Sequence, residues 1–365
     1  MQLSQLSQKI KCIVWDLDNV LWNGTLSEDN NVRLNQWIVD SIIELDKRGI
    51  LHSISSKNNK KDAENKLKQF GIFDYFLYPQ ITWNTKSSSL KIINQNLNIS
   101  FDSMIMIDDE QYELDEVRSA LPEITCILPS QLPELINIIR QQTLCCTQEA
   151  RERRLAYLSE CKRNESREIF KGPEKDFLLS LNMNLTISLA NETDLDRAQE
   201  LTIRTHQLNT TGISYSHEQL QDFIQRDDYQ VFILQLKDKY GGYGKIGLTV
   251  LHCQPDCWTI CLMLMSCRVM SKGIGSTMIA YLINAAFKAS KNDRLSGGPN
   301  DAPIKLLAEF NSHSRNRLMM ITYRLMGFEI LKEDGNHKLL ISRAVPPVSY
   351  PDYINLQDKT GNWYG

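Results

Sequence analysis

Between residues 11 and 142 the chain alternates short apolar runs with amphipathic stretches. The runs at 12–15, 50–54, 104–107 and 124–128 are too uniformly apolar to leave one face wet, which predicts strands buried on both sides. Amphipathic stretches at 34–47, 60–70, 87–96, 112–120 and 132–140 predict helices, with Gly49 and Gly71 where helix C-terminal glycines are expected. This βαβα rhythm predicts a parallel sheet covered by helices on both faces.

The pattern changes at 149–176, where acids and bases alternate at helical spacing until Gly172-Pro173 stops them; this predicts a solvated helical connector. Beyond it the periodicity predicts strands at 185–189, 231–236, 245–252, 258–266, 304–310 and 338–342. Helices are expected at 191–207, 276–289 and 316–325, which makes this part α+β. The expected organisation is therefore a first domain at 1–145, a connector at 146–176, a second domain at 177–345 and a turn-rich exit linker at 346–365. Such an ending would suit a segment of a longer multidomain chain.

A length of 365 residues fits two domains, and 42% hydrophobic with 23% charged residues is ordinary for a chain that buries a core. A net charge of −3 carries no polyanion footprint, so nucleic acid is not the expected partner. No run reaches membrane-spanning length and the N-terminus has no signal-peptide core, which predicts a cytoplasmic protein. The nine cysteines, Cys145-Cys146 among them, show no framework spacing and fit reduced thiols. His252, Cys253, Cys257 and Cys261 lack zinc-knuckle spacing.

Chemistry enters at the strand ends. The run at 12–15 stops at Asp16 and Asp18, the run at 50–54 leads to Ser56, Lys57 and Asn58, and the run at 104–107 stops at Asp108 and Asp109. Lys86 opens a predicted helix. In an open α/β sheet ligands bind beyond the carboxyl ends of the strands, so these groups are expected to converge. Crowded carboxylates need a hard cation among them, and an all-oxygen set suits Mg2+, with Asp16, Asp18, Asp108 and Asp109 as ligands. Ser56, Lys57, Asn58 and Lys86 then contact a phosphoryl group. Asp16 attacks phosphorus, and Asp18 handles the leaving-group proton.

These residues carry a resemblance. Asp16-Leu17-Asp18-Asn19, Ser56, Lys86 and Asp108-Asp109 match, in order, the four motifs of haloacid dehalogenase (HAD) superfamily phosphatases. "DLDNVLWNGTLSED", "SSKNNKKDA" and "IDDEQYELDEVRSALPEI" resemble the FkbH-like branch found in polyketide assembly lines. Val20 and Asn23 depart from that branch's usual residues without removing a reacting group, and Ser55 stands where the branch often has Cys, so no thiol is available at that edge. The resemblance implies a Rossmann-like parallel-sheet domain, and the 37 residues between Asp18 and Ser56 leave no room for a large cap.

The second domain continues the likeness. "SKGIGSTMIAYL" resembles the pyrophosphate turn of GNAT-type acyltransferases, although Met270 replaces the residue usual at its start. "RTHQLNTTGISYS", "LMSCRVMSKGIG" and "SRNRLMMITYRLMGFE" resemble FkbH-like motifs, with His206 and Leu208 as departures. Cys267 follows an apolar strand, neighbours Arg268 and precedes a helix N-terminus, features that favour a thiolate nucleophile. The matched stretches place His206, Gln207, Asn209, Thr211, Arg268 and Asn316 on the acyl or pantetheine side, His206 being a candidate base. The implied activity takes 1,3-bisphosphoglycerate, passes the glyceryl group through Cys267 to the phosphopantetheine thiol of an acyl carrier protein, and removes the remaining phosphate. Two rival readings stand beside it: a plain phosphatase whose second domain binds a partner, and an N-acyltransferase with a decayed phosphatase half.

Overall fold

A computed structural model of the protein describes residues 10–29, 31–141, 147–295, 303–361 and 363–364, the side chains of 292–295 excepted. Cys145, Cys146 and the boundary expected between them lie outside the described residues. The chain divides into two compact units, Met1–Cys161 and Lys162–Gly365.

The first unit runs β1 (Cys12–Trp15), β2 (Trp22–Asn23), β3 (Arg33–Leu34), α1 (Gln36–Lys47), β4 (Leu51–Ser56), α2 (Lys60–Gln69), β5 (Gln80–Ile81), α3 (Lys86–Leu97), β6 (Met104–Ile107), α4 (Gln111–Ala120), β7 (Thr125–Ile127) and α5 (Leu132–Gln141). Five strands form a parallel sheet in the order β5-β4-β1-β6-β7. Each strand explains its own apolar run. Ile13 and Trp15 of β1 join one buried cluster with Ile54, Ile105 and Ile107, while Cys12 and Val14 join another with Leu51, Met104 and Met106. Alternate side chains thus bury on opposite faces, which is why neither face could be polar. Among the described residues between β1 and β4 lie only the β2–β3 hairpin and α1, with no cap domain between these strands.

Gly49 ends α1 with φ +73°, and an added Cβ would come within 2.9 Å of the Ala150 carbonyl oxygen. Only glycine fits there, in conformation and in space. The side chains of Asn59 and Thr85 cap α2 and α3, and the Thr85 cap makes Lys86 the first residue of its helix.

The stretch expected as a solvated connector forms α6 (Gln148–Arg151), α7 (Arg153–Ile169) and α8 (Glu174–Ser180). It is helical, but it is not merely solvated. Tyr157 packs into the core of the first unit, and in the second unit Arg163 is buried in a bidentate pair with Asp238, at 2.6 and 2.9 Å.

The second unit contains β8 (Met183–Leu189), α9 (Leu195–Arg204), α10 (His217–Gln225), β9 (Tyr229–Asp238), β10 (Gly241–Cys253), β11 (Cys257–Met265), α11 (Ile274–Leu295), β12 (Lys305–Asn311), α12 (Arg317–Leu325), β13 (Phe328–Asp334), β14 (His337–Ser342) and β15 (Ile354–Asp358). Its mixed sheet has the order β13-β14-β12-β11-β10-β9-β8-β15, with β11–β12 and β15–β8 parallel. The expected architecture is observed: a parallel α/β sheet followed by an α+β unit.

The tail requires a correction. Residues 346–365, expected as an exit linker, complete the sheet: β15 pairs with β8 from Ile354 to Asp358. Trp363 packs against Phe232 and Trp258, each at 5.0 Å between ring centroids, and its Nε1 donates to Tyr281 Oη. Turn-forming residues here carry the chain back to an otherwise open sheet edge, which apolar and aromatic groups then cover.

Candidate active site

Parallel pairing puts the carboxyl ends of β1, β4 and β6 side by side. Asp16 follows β1, Ser56 ends β4 and Asp108 follows β6, so adjacency in the sheet converts distant sequence positions into neighbours. Lys86 completes the set. Its buried ammonium donates to Asp16 and to Ser55 O at 2.7 Å, and lies 2.9 Å from Asp108 Oδ2. Helix α3 is fixed at this end by Glu116, which accepts from Ser87 N at 3.1 Å and from Ser87 Oγ at 2.5 Å.

The electrostatics follow from burial. Desolvation pushes the Asp16 carboxyl up to about 7, helped by Asp108 and opposed by Lys86 and by the Ser56 hydroxyl bond. Asp109 is also raised, by burial first and then by Asp108, while Asn19 bonds to its carboxylate and opposes the rise. Burial works against the Lys86 ammonium, but Asp16 and Asp108 outweigh it and hold its pKa above the ordinary value. Oxygens of Asp16, Asp108 and Asp109 lie within 4.8 Å of one another. Asp108 Oδ2 is buried and accepts no aligned hydrogen bond. One ammonium cannot neutralise three carboxylates, so this all-oxygen donor set fits a hard divalent cation.

Asp18, also expected among the ligands, falls outside this group. Its Oδ1 accepts from Trp22 Nε1 at 2.7 Å and from Leu26 N at 3.1 Å, and its Oδ2 accepts from Asn58 Nδ2 at 3.0 Å. The hairpin loop therefore holds the carboxylate rather than leaving it for a metal. Asn58 Nδ2 also lies 3.2 Å from Ser56 Oγ, so Asp18, Asn58, Ser56 and Asp16 form one hydrogen-bonded chain. The Lys57 ammonium, expected on phosphate, is paired with Glu113.

Asp16, Asp18, Ser56, Lys57, Lys86, Asp108, Asp109 and Glu113 line one cavity of 280 Å³, together with Asn19, Thr25, Ser27, Trp83 and Glu110, whereas Asn58 is buried behind it. Sequence reasoning missed Glu113 and Trp83. Trp83 is 71% exposed at the cavity's edge, and a lone large aromatic in the polar stretch before a capped helix was the signal.

In the second unit Cys267 opens a single 3-10 turn, Cys267–Val269, after β11 and is half-buried; the long helix α11 begins only at Ile274. Arg268 donates to Tyr243 O at 2.9 Å, and its Nε lies 3.4 Å from Ser266 Oγ. Beyond Ile260 the β11–β12 pairing ends. Leu208–Thr211 fills the gap: Met265 N donates to Leu208 O, Thr210 N to Met263 O, Met263 N to Thr210 Oγ1 and Asn311 N to Thr210 O. Asn209 and Asn316 act as staples for this wedge. Asn209 Oδ1 accepts from Thr211 N and Gly212 N, and Asn316 Nδ2 donates to Asn209 O, Thr210 O and Asn311 O. Their amides are engaged with backbone. The antiparallel course of the wedge leads Gln207 and His206 toward the turn that holds Cys267, and Gln207 Oε1 is buried without a hydrogen-bond partner.

No family model matches the chain. Over 136 residues it is 26% identical to magnesium-dependent phosphatase 1 of Homo sapiens, covering 32% of this chain and 76% of that protein. The N-terminal part of a Bacteroides fragilis protein, containing a phosphatase domain complexed with Mg, is 25% identical with a TM-score of 0.34. The match covers 39% of this chain and 42% of that one, less than half its length. The ribosomal-protein-S18-alanine N-acetyltransferase of Escherichia coli is 17% identical with a TM-score of 0.31, over 46% of this chain and 99% of that one. Among the described residues no helix is long and apolar enough to cross a membrane.

Proposed function

We propose that the protein is a two-activity enzyme: a magnesium-dependent phosphatase of the HAD type joined to an FkbH-like glyceryl transferase. The observation that carries the reading is Lys86, buried between Asp16 and Asp108 at the mouths of adjacent parallel strands, with Asp109 beside them in one cavity. Mg2+ would be held by Asp16, Asp108 and Asp109, and when bound it supplies positive charge to the phosphoryl oxygens.

Each group then has a task. Asp16 attacks the phosphorus of a phosphate ester, breaking the bond to the alcohol oxygen, and Asp18 gives that oxygen a proton. Water attacks the resulting aspartyl phosphate, returns a proton to Asp18 and releases phosphate. Ser56 and Lys86 hold the phosphoryl group in place. In the second unit the Cys267 thiolate attacks the carbonyl carbon of 1,3-bisphosphoglycerate and expels phosphate. An acyl phosphate is already activated, so no ATP is needed. The thiol of a phosphopantetheine arm on an acyl carrier protein then takes the acyl group and returns Cys267 to a thiol.

The test is intact-protein mass spectrometry of a holo carrier protein incubated with enzyme, Mg2+ and 1,3-bisphosphoglycerate. The expected result is a carrier heavier by one glyceryl group, with phosphate released. An unmodified carrier beside normal ester hydrolysis would leave a phosphatase whose second unit serves another purpose.

A further inference from the structure

Helix α12 buries Met319 and Tyr323 but leaves Leu318, Ile321 and Leu325 exposed by 45%, 42% and 81%. Their spacing, i, i+3 and i+7, puts them in one line along the helix. Ile330 and Leu331 of the edge strand β13, which follows directly, are also exposed. Single exposed apolar side chains are ordinary on a protein surface, but a row of three along one helix, with more on the strand that follows, marks an interaction site.

Charge indicates what fits this face. Arg317 and Arg324 stand seven residues apart on α12, both exposed, and neither has an ion-pair partner among the described residues. Glu329, at the start of β13, is already paired with Arg343 at 3.4 Å. An apolar ridge with two cations along one flank is complementary to an amphipathic helix whose own ridge carries acids along one side.

Position connects the face to the chemistry. Gly275, in the first turn of α11, lies close to both neighbours: an added Cβ would meet Met265 Cε at 3.0 Å and Thr322 Cγ2 at 3.5 Å. Helix α12 thus packs against the end of β11, two residues before Cys267, and against the helix that follows that cysteine. We propose that α12 and β13 form the docking face for an acidic, helical partner protein that presents its reactive arm to Cys267. The inference rests on the glyceryl-transfer reading, in which that partner is the carrier protein.

The experiment measures binding directly, with a catalytically idle mixture of the full chain and an acidic holo acyl carrier protein, by titration calorimetry. The double variant Arg317→Glu, Arg324→Glu should weaken binding at least tenfold, high salt should weaken wild-type binding likewise, and Leu318→Asp should act without charge reversal. All three positions are exposed, so unfolding temperatures should match wild type. Unchanged affinity in the variants, or no binding by wild type, overturns the docking face. So does sedimentation showing that the charge reversals split a dimer, because the face would then belong to a second copy of the chain. Failure of the underlying reading appears elsewhere, as absence of acyl-Cys267 when the unaltered protein meets 1,3-bisphosphoglycerate.

Discussion

At the scale of single residues, charge inside the first unit makes the sharpest demands. Lys86 is the cation that Asp16 and Asp108 share, and removing one partner of a buried ionic set costs about 3–5 kcal/mol. Lys86→Met should therefore unfold markedly earlier than wild type in chelator, and Mg2+ should raise its unfolding temperature more than that of wild type. Equal stability of the two chelated proteins would refute this account of the charges. Asp16→Asn should abolish phosphate release because it removes the nucleophile, while the protein stays folded because the amide keeps the side chain's volume and Asp108 still pairs with Lys86; a colorimetric phosphate assay checks this, and full turnover would exclude Asp16. His52 offers a pH test away from the chemistry. Its ring is fully buried, accepts a hydrogen bond from Trp15 Nε1 at 3.1 Å, and burial pushes its pKa down to about 3 from 6.5. The unfolded chain takes up a proton below about pH 6.5 while the folded one does not, so the stability is fully present above that pH and is lost as pH falls toward 3. Between pH 7 and 5 wild type should lose about 2 kcal/mol more than His52→Gln, as read from urea midpoints.

At the scale of elements, the sequence is legible where burial writes a period into it. Strands β1, β4 and β6 are uniform apolar runs because both faces of their sheet are covered, and their carboxyl ends disclose the acids. Strands β2, β3 and β5 have two residues each, too short for any period, so the hairpin that holds Asp18 is invisible in the pattern. Helix α10 was missed although its signal is present: Ser216 and Gln219 form a capping box. Strand β15 was missed because prolines and turn-formers around it suggest a linker, whereas its pairing with β8 depends on contacts more than a hundred residues apart. That strand and Trp363 give a prediction at this scale. Trp363→Ala should destabilise the second unit by about 3 kcal/mol, since it removes an aromatic packed on Phe232 and Trp258 and frees Tyr281 Oη of a donor. Chemical denaturation followed at the second unit's aromatic signal measures it; a loss below about 1 kcal/mol would mean that the tail only leans on the sheet.

At the scale of the whole molecule, each unit has its own apolar core, and each candidate site is built from the residues of one unit alone. The phosphatase-type site was readable before folding because acids at strand ends have few other uses when several occur together. The surroundings of the thiol were legible only in part: Cys267 stood out beside Arg268 at a strand end, but the backbone bonds that engage Asn209 and Asn316 appear only once the gap beyond the β11–β12 pairing is seen to be filled by the chain itself. This separation makes a mutation at Cys267 the decisive one for the two-activity reading. Cys267→Ala changes little volume at a half-buried position and touches no group that lines the cavity of Asp16 and Lys86. Hydrolysis of a simple phosphate ester with Mg2+ should then proceed at close to the wild-type rate. No acyl adduct should appear on the protein, and no glyceryl group should reach the carrier thiol, as mass spectrometry would register. A carrier loaded at the wild-type rate would mean that the pantetheine thiol attacks the acyl phosphate directly. In that event Cys267 only packs, the phosphatase assignment stands, and the covalent relay falls.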